Sequence, residues 1–63
     1  MDRKTLLVRL RVAGYHEDRR DWTRLYVEGR VSFHVARQEW DRGQAMRSAG
    51  VRCTCRECAA PTT

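Results

Sequence analysis

No apolar run in this sequence has the length needed to cross a lipid bilayer. A transmembrane helix needs roughly 20 consecutive apolar residues, whereas the run from Leu6 to Val8 is followed at once by Arg9. The first four residues, Met-Asp-Arg-Lys, also lack the apolar segment of about 7–15 residues that a secretory signal contains. We therefore expect a cytoplasmic protein with no membrane partner.

Large apolar residues are also scarce in this chain of 63 residues. A domain this short hides only about 60% of the surface that its unfolded chain exposes. The residues available for a core are Leu6, Leu7, Leu10, Trp22, Leu25, Tyr26, Phe33, Trp40 and Met46. We predict a single domain over residues 1–58 and a flexible tail over 59–63. A domain with so little to bury usually needs a metal, disulfides or a second copy of itself.

The motifs of the common catalytic sites are missing as well. The sequence has no phosphate-binding loop, no paired-carboxylate motif and no nucleophile elbow. A chain of this length rarely encloses a substrate pocket. We therefore expect a binding protein without catalytic residues and not an enzyme.

Lysine is nearly absent, because Lys4 is the one lysine among 13 basic residues. The formal net charge is +5, a balance that attracts phosphate backbones, acidic lipids or acidic protein surfaces. Residues 1–13 carry the basic excess, with four basic residues and one acidic residue, Asp2. In residues 14–30 the numbers of basic and acidic residues are equal. Arginine suits bidentate contacts to phosphate or carboxylate, although a GC-rich genome would also encode arginine for every cation.

Three of the four glycines divide the chain into segments with a helical repeat of apolar residues. Gly14, Gly29 and Gly50 stand where these repeats end, and glycine just after a helix is a common C-cap because it adopts positive φ without strain. The repeats themselves follow helical spacing. They are Leu6, Leu10 and Ala13 in the first segment, Trp22, Leu25, Tyr26 and Gly29 in the second, and Phe33, Ala36, Trp40 and Gly43 in the third.

Each segment also starts near a residue that can cap a helix. Asp2, Asp21 and Ser32 carry side-chain oxygens that accept hydrogen bonds from the first turn. Val31, just before Ser32, can pack against Ala36 as a hydrophobic staple. Caps and stops together predict a mainly α fold, a small three-helix domain.

An alternating pattern supports a second interpretation of residues 4–35. Apolar residues stand at every second position from Leu6 to Val12, and a similar alternation occurs from Leu25 to Val35 around Gly29. Such alternation indicates strands. The alternative is an α+β fold, in which an N-terminal strand and a β-hairpin pack on one helix from about residue 36 to residue 48. We favour the helices because caps and stops agree with them in all three segments.

Three cysteines lie close together near the C-terminus: Cys53, Cys55 and Cys58. In the reducing cytosol such a cluster indicates metal ligands or reactive groups more than disulfides. Two residues separate Cys55 from Cys58, the spacing at which a tight turn directs two thiolates at one zinc ion. The spacing of Cys53 from Cys55 is tighter. The cluster predicts three zinc ligands, and the alternative is a reduced tail without metal.

A structural zinc site needs a fourth ligand, and the two histidines are the candidates. His16 lies in a predicted loop, whereas His34 lies in the first turn of the third helix and can point to solvent. We therefore predict Zn²⁺ bound by His16 together with Cys53, Cys55 and Cys58. His34 or another residue is the alternative, and either histidine can be an ordinary surface residue.

Residues 21–47 have the order of a helix-turn-helix motif: a helix, a short turn and a second helix. The predicted fold is therefore helix-turn-helix-like, and the zinc-binding cysteine cluster follows it at the C-terminus. The start of the second helix of such a motif enters the major groove of DNA. It would present Phe33, His34, Arg37 and Gln38. Arginine and glutamine bind guanine and adenine edges in bidentate fashion. Candidates for phosphate contacts are Arg9, Arg11, Arg24 and Arg30. Arg30, inserted between Gly29 and Val31, departs from the Gly-Val-Ser turn of many helix-turn-helix regulators. The alternative is an ordinary antiparallel helix pair, because two short helices joined by a glycine turn are a common building unit.

The two tryptophans, Trp22 and Trp40, are predicted to be core residues, since tryptophan dominates burial in small domains. If either one is exposed, it becomes the best candidate for a partner hot spot.

A resemblance to known proteins rests on three parts of the sequence. They are residues 25–32 (Leu-Tyr-Val-Glu-Gly-Arg-Val-Ser), then Ala36, Trp40 and Gly43, and finally residues 49–58 (Ala-Gly-Val-Arg-Cys-Thr-Cys-Arg-Glu-Cys). Over its C-terminal two-thirds the chain resembles small proteins encoded in bacteriophage and prophage genomes. The resemblance implies a regulator or an inhibitor of host machinery. The first hypothesis is therefore a zinc-stabilised basic accessory or regulatory protein that binds nucleic acid, with DNA favoured. The second is an inhibitor that docks on an acidic surface of a host protein, such as a polymerase or a defence complex.

Overall fold

The computed structural model describes residues 2–52, which form three α-helices. α1 spans Arg3–Tyr15, α2 spans Arg19–Gly29 and α3 spans Phe33–Ser48. No strand occurs between residues 2 and 52, so the predicted mainly α fold is confirmed and the hairpin alternative is wrong there. None of the three helices is long and apolar enough to cross a membrane. The three cysteines, the predicted domain end at residue 58 and the predicted tail over 59–63 lie outside the described residues.

α1 begins at its predicted cap. The carboxylate of Asp2 accepts a hydrogen bond of 2.9 Å from the backbone N–H of Thr5. Hydrogen bonds from the side chain and the backbone of Thr5 lower the pKa of Asp2, because they stabilise the charged carboxylate. The predicted cap of the first segment is therefore confirmed.

α1 ends later than predicted, and Gly14 is not its terminator. The helix continues through Tyr15, and the residue with positive φ is Glu17, at 56°. The backbone N–H of Asp18 then donates to the carbonyl of Ala13 at 2.9 Å, in the pattern of a Schellman motif. Gly14 is buried inside the helix.

Two predictions for the ends of α2 are wrong by a few residues: the N-cap at Asp21 and the helix end at Gly29. Its N-cap is Asp18, whose carboxylate accepts from the backbone N–H of Asp21 at 3.1 Å. Asp21 lies inside the first turn, where it forms an ion pair with Arg24. At the other end Gly29 is still helical, and Arg30 adopts the left-handed conformation with φ of 53°.

α3 begins and ends as predicted. The hydroxyl of Ser32 accepts from the backbone N–H of Val35 at 3.2 Å. Gly50 follows the helix with φ of 75°, and the N–H of Val51 donates to the carbonyl of Met46 at 2.9 Å. This is again a Schellman motif, here with the expected glycine in the left-handed position.

The core lies where the three helices meet, with α1 packed against both of the others. Its cluster of buried residues comprises Leu6, Leu10, Leu25, Val31 and Ala36. Val31 and Ala36 share this cluster, as the predicted staple requires. Val8, which alternation would have placed inside with Leu6 and Leu10, is 42% exposed. The helical repeat, and not the alternation, therefore determines which side chains are buried.

α1 and α3 cross at two glycines. A Cβ atom on Gly14 would lie 2.5 Å from the backbone oxygen of Trp40, and one on Gly43 would lie 2.5 Å from the backbone nitrogen of Tyr15. A Cβ on Gly43 would also contact the carbonyl oxygen of Arg11. Real Cβ atoms essentially never approach backbone this closely. The two helix backbones therefore touch, and each glycine is required by packing.

Candidate nucleic-acid interface

Three of the predicted base-reading residues share the exposed side of α3. His34, Arg37 and Gln38 are all exposed, and their spacing of three and four residues places them on one face of the helix. We call these three residues the α3 face. Residues 30–32 connect α2 to α3, the turn length that a helix-turn-helix motif uses. Asp41 lies one turn further on and accepts a 3.2 Å hydrogen bond from Nε of Arg37.

Four of the five aromatic residues gather beside this face. The ring of Trp22 is the centre of the cluster and stacks on Tyr26 at 5.7 Å. It meets Phe33 at 6.3 Å and Trp40 at 5.8 Å in edge-to-face geometry. Its indole N–H donates to the carbonyl of Ala36 at 3.0 Å, which holds the ring in place. The predicted core tryptophans are thus only half-buried, and Phe33 is 56% exposed.

A groove of about 420 Å³ runs along this cluster between α2 and α3. We call it the aromatic groove, and it is lined by Arg19, Trp22, Thr23, Phe33, Arg37 and Trp40. Its lining in the described part of the chain thus contains two cations and no carboxylate. A second groove, of about 450 Å³, is lined by Arg3, Leu6, Leu25, Glu28, Gly29 and Val31. That lining carries one charge of each sign and no aromatic ring, so it has less to attract a phosphate or a base.

The predicted phosphate-binding arginines are not equivalent. Arg9 and Arg30 are exposed and form no ion pair within residues 2–52. Arg30 begins the three-residue turn between α2 and α3, whereas Arg9 lies on α1. Arg24 is exposed but is paired with Asp21 on the same helix. The most available cations among these are therefore Arg9 and Arg30.

Arg11, the fourth predicted phosphate ligand, holds α1 against α3. Its Nε and Nη2 atoms donate to Oε1 of Glu39 at 3.1 and 2.9 Å. Arg42 donates to Oε2 of the same carboxylate at 3.2 Å. Glu39 is only 3% exposed, so its charge is balanced inside the fold mainly by Arg11, whose side chain is 36% exposed.

The sequence prediction missed two residues that the structure makes prominent. Arg19 lines the aromatic groove, and its spacing from Trp22 and Thr23 already placed all three on one side of α2. Glu39 is the buried carboxylate, three residues after Ala36 and four before Gly43 on the apolar stripe. A charged residue at that position of an inner face is the signal that could have identified Glu39 as a buried carboxylate that needs a basic partner.

The predicted zinc ligands fall on both sides of the described boundary. Cys53, Cys55 and Cys58 lie outside it, and residues 2–52 contain no group of three or more potential ligands. The hydroxyl of Tyr15 donates to the carbonyl of Val51 at 2.7 Å, which anchors the end of the described chain beside the end of α1. His16 follows directly, with its ring 5.2 Å from that of Tyr15.

His34 lies at the opposite end of α3 from this anchor. It occupies the first turn of a helix of 16 residues, which spans about 24 Å. Val51 is therefore held beside the end of α1, where His16 follows Tyr15, and at the other end of α3 from His34.

Comparisons with protein-family models, with curated proteins and with solved structures found no match for this chain. Function is therefore inferred from the surface itself. That surface combines the α3 face with the aromatic groove, and Arg37 belongs to both.

Proposed function

We propose that the protein is a small, zinc-stabilised, basic accessory or regulatory protein that binds nucleic acid, with DNA as its main target. The observation that carries this proposal is the α3 face, exposed at the start of a helix that follows a three-residue turn. Arg37 and Gln38 are residue types that bind guanine and adenine edges in the major groove. Their position near the start of α3 supports the proposal, because the start of the second helix of a helix-turn-helix motif carries the base contacts.

Phosphate contacts would come from cations around this face. Arg30 is exposed at the start of the turn between α2 and α3, and Arg9 adds an exposed cation on α1. Arg24 and Arg37 are each paired with one carboxylate, and a guanidinium in such a pair keeps further N–H groups for phosphate. Arg11 and Arg42 share the one carboxylate of Glu39, so this group of three residues keeps a net positive charge. The net charge of +5 favours association with a polyanion.

Substitution of Arg37 tests the interface directly. Against a duplex selected from a random pool, Arg37→Ala is expected to lose about 1–3 kcal/mol of binding free energy and to discriminate less against other duplexes. Each lost phosphate contact should lower the magnitude of the log–log salt slope by about 0.9. The measurement is a fluorescence titration of labelled duplexes at several salt concentrations.

Arg47→Ala is the matched control for that titration. It removes the same charge from the other end of α3, where Nη1 of Arg47 lies 3.6 Å from Oε2 of Glu17. We expect a small, sequence-independent loss for this variant. Equal losses for the two variants would reduce the role of Arg37 to general electrostatics.

The inhibitor hypothesis predicts a different outcome. No binding to duplex at low salt, together with stoichiometric recovery of one host protein from bacterial lysate, would reject the DNA proposal. Phe33 and Val27, at 56% and 64% exposure, would then be the apolar anchors to substitute first.

The zinc site belongs to the same proposal. Three thiolates from Cys53, Cys55 and Cys58 with the imidazole of His16 form a ligand set that suits a structural zinc ion. The hydrogen bond from Tyr15 to Val51 supports this set, because it holds the chain two residues before Cys53 beside the segment that contains His16. A bound zinc would add stability to a domain with a small core.

Elemental analysis checks the metal. Protein purified without chelator is expected to carry about one zinc per chain. A lower chelator concentration should remove zinc from His16→Ala than from the parent protein, whereas His34→Ala should lose zinc at the same chelator concentration as the parent. A folded protein without metal, in which all three thiols titrate freely, would contradict the site.

A further inference from the structure

We propose that the aromatic groove binds an unpaired nucleobase of single-stranded nucleic acid, with the flanking phosphates held by Arg19 and Arg37. This inference rests on the proposed function and adds a substrate class to it. The α3 face would read duplex, whereas the groove would take a base that has left the stack. The two sites adjoin through Arg37.

The groove offers a base a preformed aromatic wall. Phe33 is 56% exposed, yet its ring is supported by Trp22 at 6.3 Å and by Tyr26 at 6.0 Å. Trp22 is in turn fixed by its hydrogen bond to the carbonyl of Ala36. Bases stack on such rings with little regard to sequence, because every base has a π face. The exposed ring is therefore held ready for stacking without reordering of the cluster.

Charge complements this wall from within the same groove. Arg19 and Arg37 both belong to the lining, and none of its described members is acidic. Arg37 donates to Asp41 through Nε only, so its terminal N–H groups remain available to phosphate oxygens. The volume of about 420 Å³ lies within the usual range for small-ligand sites.

Rings and cations side by side fit a nucleotide better than the other anionic partners. A nucleotide carries a flat base and a phosphate in every unit, so a single strand supplies both where the groove supplies their complements. An acidic peptide offers carboxylates without a regular flat ring. A duplex keeps its bases paired and stacked. The combination of Phe33 with Arg19 and Arg37 therefore favours a single strand.

The chain contains its own reporter for this site, because its two tryptophans both line the groove. We would titrate the full chain with an oligothymidylate of about ten nucleotides, an abasic strand of equal length and a polyglutamate. Oligothymidylate should quench tryptophan fluorescence and bind at least about 5-fold more tightly than the abasic strand, as expected for stacking of one base. Equal affinity for the two strands would reduce the groove to a phosphate contact and overturn the proposal.

Three variants localise the effect. Phe33→Leu keeps apolar bulk but removes the ring, so it should abolish the preference for oligothymidylate over the abasic strand. Arg19→Gln should weaken both strands alike. Val8→Ala is the control, because Val8 is 42% exposed on α1 and does not line the groove. Circular dichroism of each variant verifies that the helices are retained.

The outcomes separate this inference from the function on which it rests. An unchanged preference in Phe33→Leu rejects the base site, and tighter binding of polyglutamate assigns the groove to an acidic protein instead. If duplex binding through Arg37 and Gln38 persists in either case, the proposed function stands alone. Failure of every nucleic acid to bind at low salt rejects both.

Discussion

Gly43→Ala is expected to destabilise the fold by about 3 kcal/mol, the upper part of the usual range for overpacking. The added Cβ would lie 2.5 Å from the backbone nitrogen of Tyr15 and would contact the carbonyl oxygen of Arg11. Neither atom belongs to a flexible side chain, so relief requires α1 and α3 to move apart. Urea unfolding followed by helical circular dichroism measures the loss.

Gly29→Ala is the control for this substitution. The three atoms nearest to its Cβ all belong to the Leu6 side chain, with Cδ2 closer than Cδ1 at 2.8 Å, and a side chain shifts more easily than a helix backbone. The helix propensity of alanine also offsets up to about 1 kcal/mol at a helical position. We expect a change within about 1 kcal/mol. A Gly43→Ala protein as stable as Gly29→Ala would show that the backbones of α1 and α3 do not touch.

Arg11→Met is expected to destabilise the fold by about 2–3 kcal/mol, because it leaves the buried carboxylate of Glu39 with one weaker partner. Arg11 supplies two hydrogen bonds to Oε1, whereas Arg42 supplies one to Oε2 at 3.2 Å. Arg42→Met is the control. Its side chain is 64% exposed and gives Glu39 a single hydrogen bond, so we expect a smaller loss than for Arg11→Met.

The double substitution Arg11→Met with Glu39→Leu separates the pair from its surroundings. In the double variant the carboxylate of Glu39 is absent, so Arg11→Met no longer leaves a buried charge without its main partner. The double variant should therefore recover most of the free energy of unfolding that Arg11→Met alone loses. Losses that simply add would mean that Arg11 and Glu39 act independently. Because Arg11→Met weakens the fold itself, loss of DNA binding in that variant would not by itself indicate a phosphate contact.

Prediction from the sequence succeeded where one residue determines local geometry. Asp2 and Ser32 cap their helices through their own oxygens, and Gly50 takes the left-handed position after α3. Asp21 failed because Asp18 offers the same carboxylate three residues earlier. Propensity does not distinguish two aspartates that could each start the same helix.

The predictions for Gly14 and Gly29 failed for a different reason. Gly14 stood at the end of an apolar repeat, but its missing Cβ serves the contact with Trp40 of α3. A glycine needed for close packing and a glycine needed for positive φ are identical in sequence. The difference appears only when another helix is in place, and Glu17 and Arg30 then occupy the left-handed positions instead.

For the candidate site, helical spacing predicted that His34, Arg37 and Gln38 share a face, and their exposure agrees. It could not predict that Arg19 of α2 would lie beside Arg37 of α3, since that juxtaposition depends on tertiary packing. Nor could it assign Arg11, whose partner Glu39 is 28 residues away. Contacts within a helix were accessible from the sequence, and contacts between helices were not.

At Arg30 the backbone conformation favours one residue type, and the proposed binding of DNA favours another. Its φ of 53° is a conformation that glycine or asparagine adopts with less strain, and a bulkier residue there costs roughly 1–2 kcal/mol. A laboratory selection for thermal resistance alone would therefore drive this position towards glycine. A selection that also required DNA binding would retain the arginine under the proposed function. The residue recovered at position 30 would then record which pressure had acted on the protein.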